Sequence, residues 1–164
     1  MVPDSVQLAS IGLRPGNQLV AYVFGSSRCG YCQSDAVKSA VAGLRDSLRR
    51  YYGSAFPTIA IVGVAVNTDL DEGLGYLKAV GLTHFDEIAI GKGWQNEQVI
   101  RWVRRARVAE AGVPLIVVSR RDMTAKLNPI SVSYSSDSVV RVLQGRDSVV
   151  SWVAHGTPLD VDRR

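Results

Sequence analysis

Cysteine is scarce in this chain, with only Cys29 and Cys32 among 164 residues. Two cysteines are too few for the disulfide framework of a small secreted scaffold, and too few for a four-cysteine zinc site. A chain of this length can bury a hydrophobic core without such cross-links. Both cysteines fall in one Cys-x-x-Cys motif, so the chemistry of the thiols is confined to a single place.

Long hydrophobic runs are also missing. The longest apolar stretches lie near residues 19–24 and 59–66, and both are far shorter than the ~20 residues of a membrane-spanning helix. The N-terminus has no basic start followed by a long apolar core, so no secretory signal is visible. We therefore expect no membrane span, and a cytoplasmic chain as written, or a periplasmic or secreted one if a leader was removed.

Charge gives little indication of a partner, although the formal net charge is +4. The basic residues cluster in local runs at 45–50, 101–107 and 120–121, and no arginine-glycine tract or aromatic–basic platform accompanies them. We expect no nucleic-acid binding. With 46% hydrophobic and 21% charged residues, the composition is that of one globular domain over 1–164, with residues 1–18 as an N-terminal extension or edge element.

Apolar periodicity predicts strands that alternate with helices. Residues 120–137 are polar and irregular, which predicts a long connection between the last two strands, and Asp147 is expected to cap the final helix. This order predicts an α/β domain with a mixed sheet covered by helices on both faces. The predicted strands cover residues 19–24, 58–66, 85–90, 115–119 and 139–143, and the main helices cover 29–50, 70–80, 95–108 and 147–155.

The cysteine motif stands where a buried strand ends and the first of these helices is predicted to begin. Unpaired backbone N–H groups and the positive end of a helix dipole favour thiolate over thiol, and Arg28 adds a neighbouring cation. The thiolate is the species that attacks a disulfide. These features make Cys29 the candidate nucleophile and Cys32 the candidate resolving thiol. A pair of inert buried thiols, or half of an intermolecular zinc clasp, remains open.

The segment 19–32 resembles the active-site strand and turn of thioredoxin-fold thiol–disulfide oxidoreductases, and Gly112-Val113-Pro114 resembles the cis-proline segment of that family. The resemblance implies a thioredoxin-like fold in which Pro114 keeps a substrate groove open and the Val113 backbone pairs with an extended substrate. It implies no organic cofactor or metal. The expected partners are a protein or peptide substrate, and a redox partner protein or small thiol.

The residues between and before the cysteines are expected to tune this chemistry. Tyr31 should be exposed beside the reactive sulfur and shape substrate contact, while Arg28 and Gly30 modulate the motif. The pair Gly30-Tyr31 replaces the Gly-Pro of typical thioredoxins and resembles that of bacterial periplasmic disulfide isomerases. Val23 stands where reductases of the family often carry a buried aspartate.

The motif does not fix the direction of electron transfer, and it does not by itself require catalysis. The predicted strand–helix unit at 85–108 resembles the insertion of cytochrome-maturation reductase-like proteins, but the direction of electron transfer is not fixed by the motif. A non-enzymatic alternative is a thioredoxin-like binding module or redox sensor that uses the groove at Val113 and Pro114.

Overall fold

The computed structural model describes residues 4–161, apart from the side chain of Ser136. Five α-helices and five β-strands follow one another along this part of the chain. In chain order they are α1 (Asp4–Ser10), β1 (Gly16–Gly25), α2 (Asp35–Tyr52), β2 (Thr58–Ala65), α3 (Leu70–Val80), β3 (Glu87–Ala89), α4 (Glu97–Arg105), β4 (Leu115–Lys126), β5 (Ser131–Gln144) and α5 (Arg146–Ala154).

The strands form one mixed sheet in the order β3-β2-β1-β4-β5. Strand β1 lies at its centre, parallel to β2 and antiparallel to β4. Short edge strand β3 runs parallel to β2, and β5 pairs antiparallel with β4. Because β1 and β2 are adjacent and parallel, the loops that follow them emerge at the same edge of the sheet.

Side chains of β1 alternate between two apolar layers, as a strand covered on both faces requires. Leu19, Ala21 and Val23 enter the layer beneath α2, α3 and α5. Their neighbours Val20, Tyr22 and Phe24 enter the layer beneath α4. The prediction of a mixed sheet with helices on both faces is therefore confirmed.

This topology is the thioredoxin-like fold. A parallel β1-α2-β2 unit is followed by the antiparallel pair β4-β5, and α5 returns to pack against α2. The elements β3 and α4 stand between these two halves, at the position where the sequence predicts an inserted strand–helix unit. No helix within residues 4–161 is long and apolar enough to cross a membrane.

Helix α2 begins later than its sequence predicts. It starts at Asp35, with Ser34 as the N-cap accepting a hydrogen bond from the Val37 N–H. Ser34 competes for backbone donors that the helix would otherwise leave unpaired, so the helix starts there. The cysteines consequently lie in the preceding loop and not in the first helical turn.

The prediction of an irregular connection at 120–137 is wrong, because β4 and β5 continue as a two-stranded ribbon. Their pairing extends from Leu115 opposite Gln144 to Lys126 opposite Ser131. A ribbon largely exposed to solvent needs no alternation of apolar residues, since its backbone groups are satisfied by the facing strand. The predicted cap of α5 is also wrong, since Gly145 occupies the N-cap position and Asp147 lies in the first turn.

Candidate active site

The two cysteines form a disulfide in the loop that follows β1, with 5.3 Å between their Cα atoms. Cys32 is fully buried, at 0% exposure, and packs in the core layer that contains Val23. Cys29 is partly exposed. The disulfide therefore joins a partly exposed residue to a fully buried one.

The sulfur of Cys29 lies between a hydrogen-bond donor and an acceptor. The Cys32 N–H donates to Cys29 Sγ over 3.1 Å, and Sγ is 3.4 Å from the carbonyl oxygen of Val113. A backbone N–H aimed at sulfur stabilises negative charge on it, whereas a carbonyl accepts a hydrogen bond from a thiol. Both the thiolate and the thiol of a reduced Cys29 thus have a partner at this position.

The donor at Cys29 comes from the loop and not from a helix terminus. Successive turns close with hydrogen bonds from the Cys29 N–H to the Ser26 carbonyl and from the Cys32 N–H to the Cys29 carbonyl. A further turn links the Ser34 N–H to the Tyr31 carbonyl. Because α2 starts only after these turns, the helix-terminus argument made from the sequence is replaced by a local backbone contact.

The Val113–Pro114 peptide bond is cis and stands beside the disulfide. Pro114 is buried, and its carbonyl accepts a hydrogen bond of 2.8 Å from the Gly145 N–H. A groove of about 380 Å³ runs along this segment, between Tyr31 and the start of α5. Tyr31 is 62% exposed on its wall, with the Arg146 guanidinium 5.4 Å from the ring centroid.

Arg28 and Gly30 lie next to the cysteines in different ways. The Arg28 side chain is 80% exposed and forms an ion pair of 3.2 Å with Glu72. Hydrogen bonds from Arg28 and Asn67 and the charge of Arg28 lower the pKa of Glu72 below its usual value. The charge of Arg28 is therefore partly offset. A Cβ added at Gly30 would contact nothing within 4 Å, so space does not require glycine there.

No carboxyl group among residues 4–161 is fully buried, so none is enclosed in the core with Cys32. Val23 lies in the same core layer as Cys32, at 4% exposure. Tyr76 also shares this layer, and burial raises its pKa well above the ordinary value for tyrosine.

The structure also brings two residues to the site that were not predicted to act there. Asn67, 3% exposed, follows β2 and hydrogen-bonds to Ser27. Glu72, in the first turn of α3, joins Asn67 to Arg28. The sequence could have indicated this contact, because the loops that follow two adjacent parallel strands, here β1 and β2, lie at the same edge of the sheet.

Neither histidine joins the site. His84 lies in a short 3-10 helix after α3, and His155 lies at the end of α5. Within the part of the chain that the structure describes, no three histidine, cysteine, aspartate or glutamate side chains converge to hold a metal ion.

Comparison with known proteins finds likeness at the level of the fold. No family model matches the chain, and no curated protein matches its sequence. Among solved structures, a thiol-disulfide oxidoreductase from Bacteroides fragilis is 14% identical, with a TM-score of 0.46 over 84% of this chain and 80% of that one. A mutant tryparedoxin-I is 14% identical, with a TM-score of 0.46 over 84% of this chain and 76% of that one. The apo Sco1 protein from Thermus thermophilus is 14% identical, with a TM-score of 0.44 over 87% of each chain. From its own topology and contacts, the protein has a thioredoxin-like fold that holds a Cys-Gly-Tyr-Cys disulfide beside a cis-proline.

Proposed function

We propose that this protein is a thiol–disulfide oxidoreductase that exchanges disulfides with protein or peptide substrates. The observation that carries the proposal is a disulfide that joins the partly exposed residue Cys29 to the fully buried Cys32, beside the Val113 carbonyl. A fully buried structural disulfide would shield both cysteines, whereas exchange requires that at least one sulfur can be attacked.

The reaction proceeds in two exchanges at these sulfurs. In the reducing direction, the Cys29 thiolate attacks a substrate disulfide, a Cys29–substrate disulfide forms, and one substrate thiolate leaves. Deprotonated Cys32 then attacks Cys29 Sγ, restores the disulfide and releases the second substrate thiolate, so two electrons pass to the substrate. Run backwards, the same steps oxidise a substrate dithiol. A partner protein or small thiol supplies or removes the electron pair.

The groove beside the disulfide supplies the substrate site in this proposal. The Val113 backbone borders Cys29 and can pair with an extended chain, and Pro114 keeps that segment from closing over the sulfur. Exposed Tyr31 offers an apolar face for substrate contact on the opposite wall. Arg28 and Gly30 adjust the charge and access at the nucleophile.

Dithiothreitol-dependent reduction of insulin tests the proposal. Wild-type protein should accelerate precipitation of the insulin chains, and Cys29→Ser should reduce the rate to that of dithiothreitol alone, because the attacking sulfur is gone. Circular dichroism of both proteins checks that folding is equal. Equal rates for wild type and Cys29→Ser would reject the enzyme and leave a binding module at the Val113–Pro114 groove as the alternative.

A further inference from the structure

The loop that carries the disulfide is attached to the rest of the protein through the side chain of Asn67. Its Oδ1 accepts from the Ser27 N–H over 3.2 Å, and its Nδ2 donates to Ser27 Oγ over 2.7 Å. Asn67 thus holds the backbone N–H and the hydroxyl of a residue two positions before Cys29. Asn67 itself is 3% exposed, so little water competes for its side of the contact.

Asn67 also joins the loop to two other elements. Its Nδ2 donates to Glu72 Oε2 over 3.2 Å, and Glu72 Oε1 binds Arg28. Its carbonyl accepts from the Gly93 N–H over 3.1 Å. The side chains of Asn67 and Glu72 therefore hold Ser27 and Arg28, the two residues immediately before the nucleophile.

We propose that Asn67, supported by Glu72, is the positioning residue of the redox loop: it fixes Ser27 so that Cys29 Sγ stays on the Cys32 N–H and beside the Val113 carbonyl. The inference deepens the proposed function, on which its significance rests. The backbone hydrogen bonds within the turn from Ser26 to Cys29 are short-range. The Val66 N–H holds Gly25 just before the turn, and Asn67 extends this attachment to β2 as far as Ser27. A displaced sulfur loses the N–H that stabilises its thiolate.

The exchange of an amide for a carboxylate tests the arrangement. Asn67→Asp keeps the side-chain shape and the acceptor for the Ser27 N–H, but it sets a carboxylate against Glu72 where the amide donated over 3.2 Å. Adding Glu72→Gln returns a donor to that contact with the same net charge as wild type. The double variant therefore restores the hydrogen bond that the single variant breaks.

The readout is the second-order rate of iodoacetamide alkylation at Cys29 in the fully reduced protein, followed by mass spectrometry across pH 5–9. Asn67→Asp should slow alkylation at pH 7 about three- to tenfold. The new carboxylate is repelled by Glu72, which displaces the loop, and its negative charge near the sulfur disfavours the thiolate. The double variant should return to within about twofold of wild type. Equilibrium with glutathione should shift in parallel toward the disulfide in the single variant.

Asn96→Asp is the matched control. Asn96 is a buried asparagine that caps α4, and aspartate caps helices equally well. Its Nδ2 donates to the Gly91 carbonyl over 3.0 Å, so Asn96→Asp also loses one amide donor, as Asn67→Asp does. Asn96→Asp adds the same negative charge outside the loop that carries the cysteines, so the alkylation rate of Cys29 should not change. Ser27→Ala is the second variant should Asn67→Asp fold poorly, since it removes only the hydroxyl that accepts from Asn67 and should slow alkylation in the same direction.

Two results would overturn the positioning role. One is an alkylation profile of Asn67→Asp, or of Ser27→Ala where that variant is used, that matches wild type. The other is a double variant no faster than the single one. Alkylation does not need a substrate, so a wild type inactive on insulin but sensitive to Asn67→Asp would reject the proposed function and retain the positioning role.

Discussion

Replacement of Cys32 by serine should arrest disulfide exchange at its midpoint and leave Cys29 covalently joined to the substrate. Cys29 keeps its partial exposure, its N–H donor and the groove beside Val113 in this variant, so the first attack can proceed. The thiolate that breaks the mixed disulfide is missing, and no other cysteine in the chain can replace it. A transient intermediate therefore becomes the product.

The asymmetry between the two sulfurs makes this prediction specific. Cys32 has no exposed surface, so a substrate disulfide cannot reach it without opening the core. Cys29→Ser should therefore trap almost nothing, although one thiol remains. In a solvent-exposed pair, either cysteine would form the adduct at comparable rates.

A peptide disulfide that carries a fluorescent label provides the measurement. Reduced Cys32→Ser should form about one equivalent of adduct on non-reducing gels, and dithiothreitol should release it. The yield for Cys29→Ser should be at least tenfold lower, because thiol exchange requires access to the thiolate. Adducts of equal yield in the two variants would contradict the assignment of nucleophile and resolving thiol.

Trp102→Ala should produce the largest loss of stability among the tryptophan substitutions. Trp102 is 0% exposed and is the largest side chain that α4 contributes to its core layer. Its ring centroid lies 4.3 Å from that of Tyr22, and its Nε1 donates to Gln98 over 3.1 Å. Removal of a buried tryptophan leaves a large cavity, and the expected cost is about 3–5 kcal/mol.

Trp94 is the internal control for this substitution. It lies in the short 3-10 helix before α4 and is 45% exposed, so Trp94→Ala should cost less than about 1 kcal/mol. In urea, the unfolding midpoint of Trp102→Ala should fall by about 2 M, given a typical denaturant slope for a domain of this size. An unfolding midpoint that is unchanged by Trp102→Ala, or lowered equally by both substitutions, would contradict the conclusion that Trp102 of α4 stabilises the core layer it shares with Tyr22.

The sequence was sufficient for the features that depend on local pattern. Continuous apolar runs with β-branched residues predicted β1 and β2, because a strand buried on both faces leaves no polar position. The spacing of the cysteines predicted that they could form one disulfide.

Basic residues in α4 show a second limit of the sequence. Arg101 and Arg105 are partly exposed, and they also bind Asp137 of β5 and lie over the ring of Trp102. Asp137 belongs to the stretch that was predicted to be irregular. A contact between elements this far apart in sequence has no local signature, so it could not be predicted from either segment alone.

By itself, the sequence determined the order of most elements, the mixed sheet and the place of the two cysteines, because apolar periodicity and residue spacing are local properties. Only the tertiary structure decided that Cys32 is buried while Cys29 is open, that Val113 lies against the sulfur, and that Asn67 and Glu72 hold the loop. Each of these features depends on contacts between groups from different loops at one edge of the sheet. Strand register and loop closure set these contacts, and no short segment of the chain encodes them.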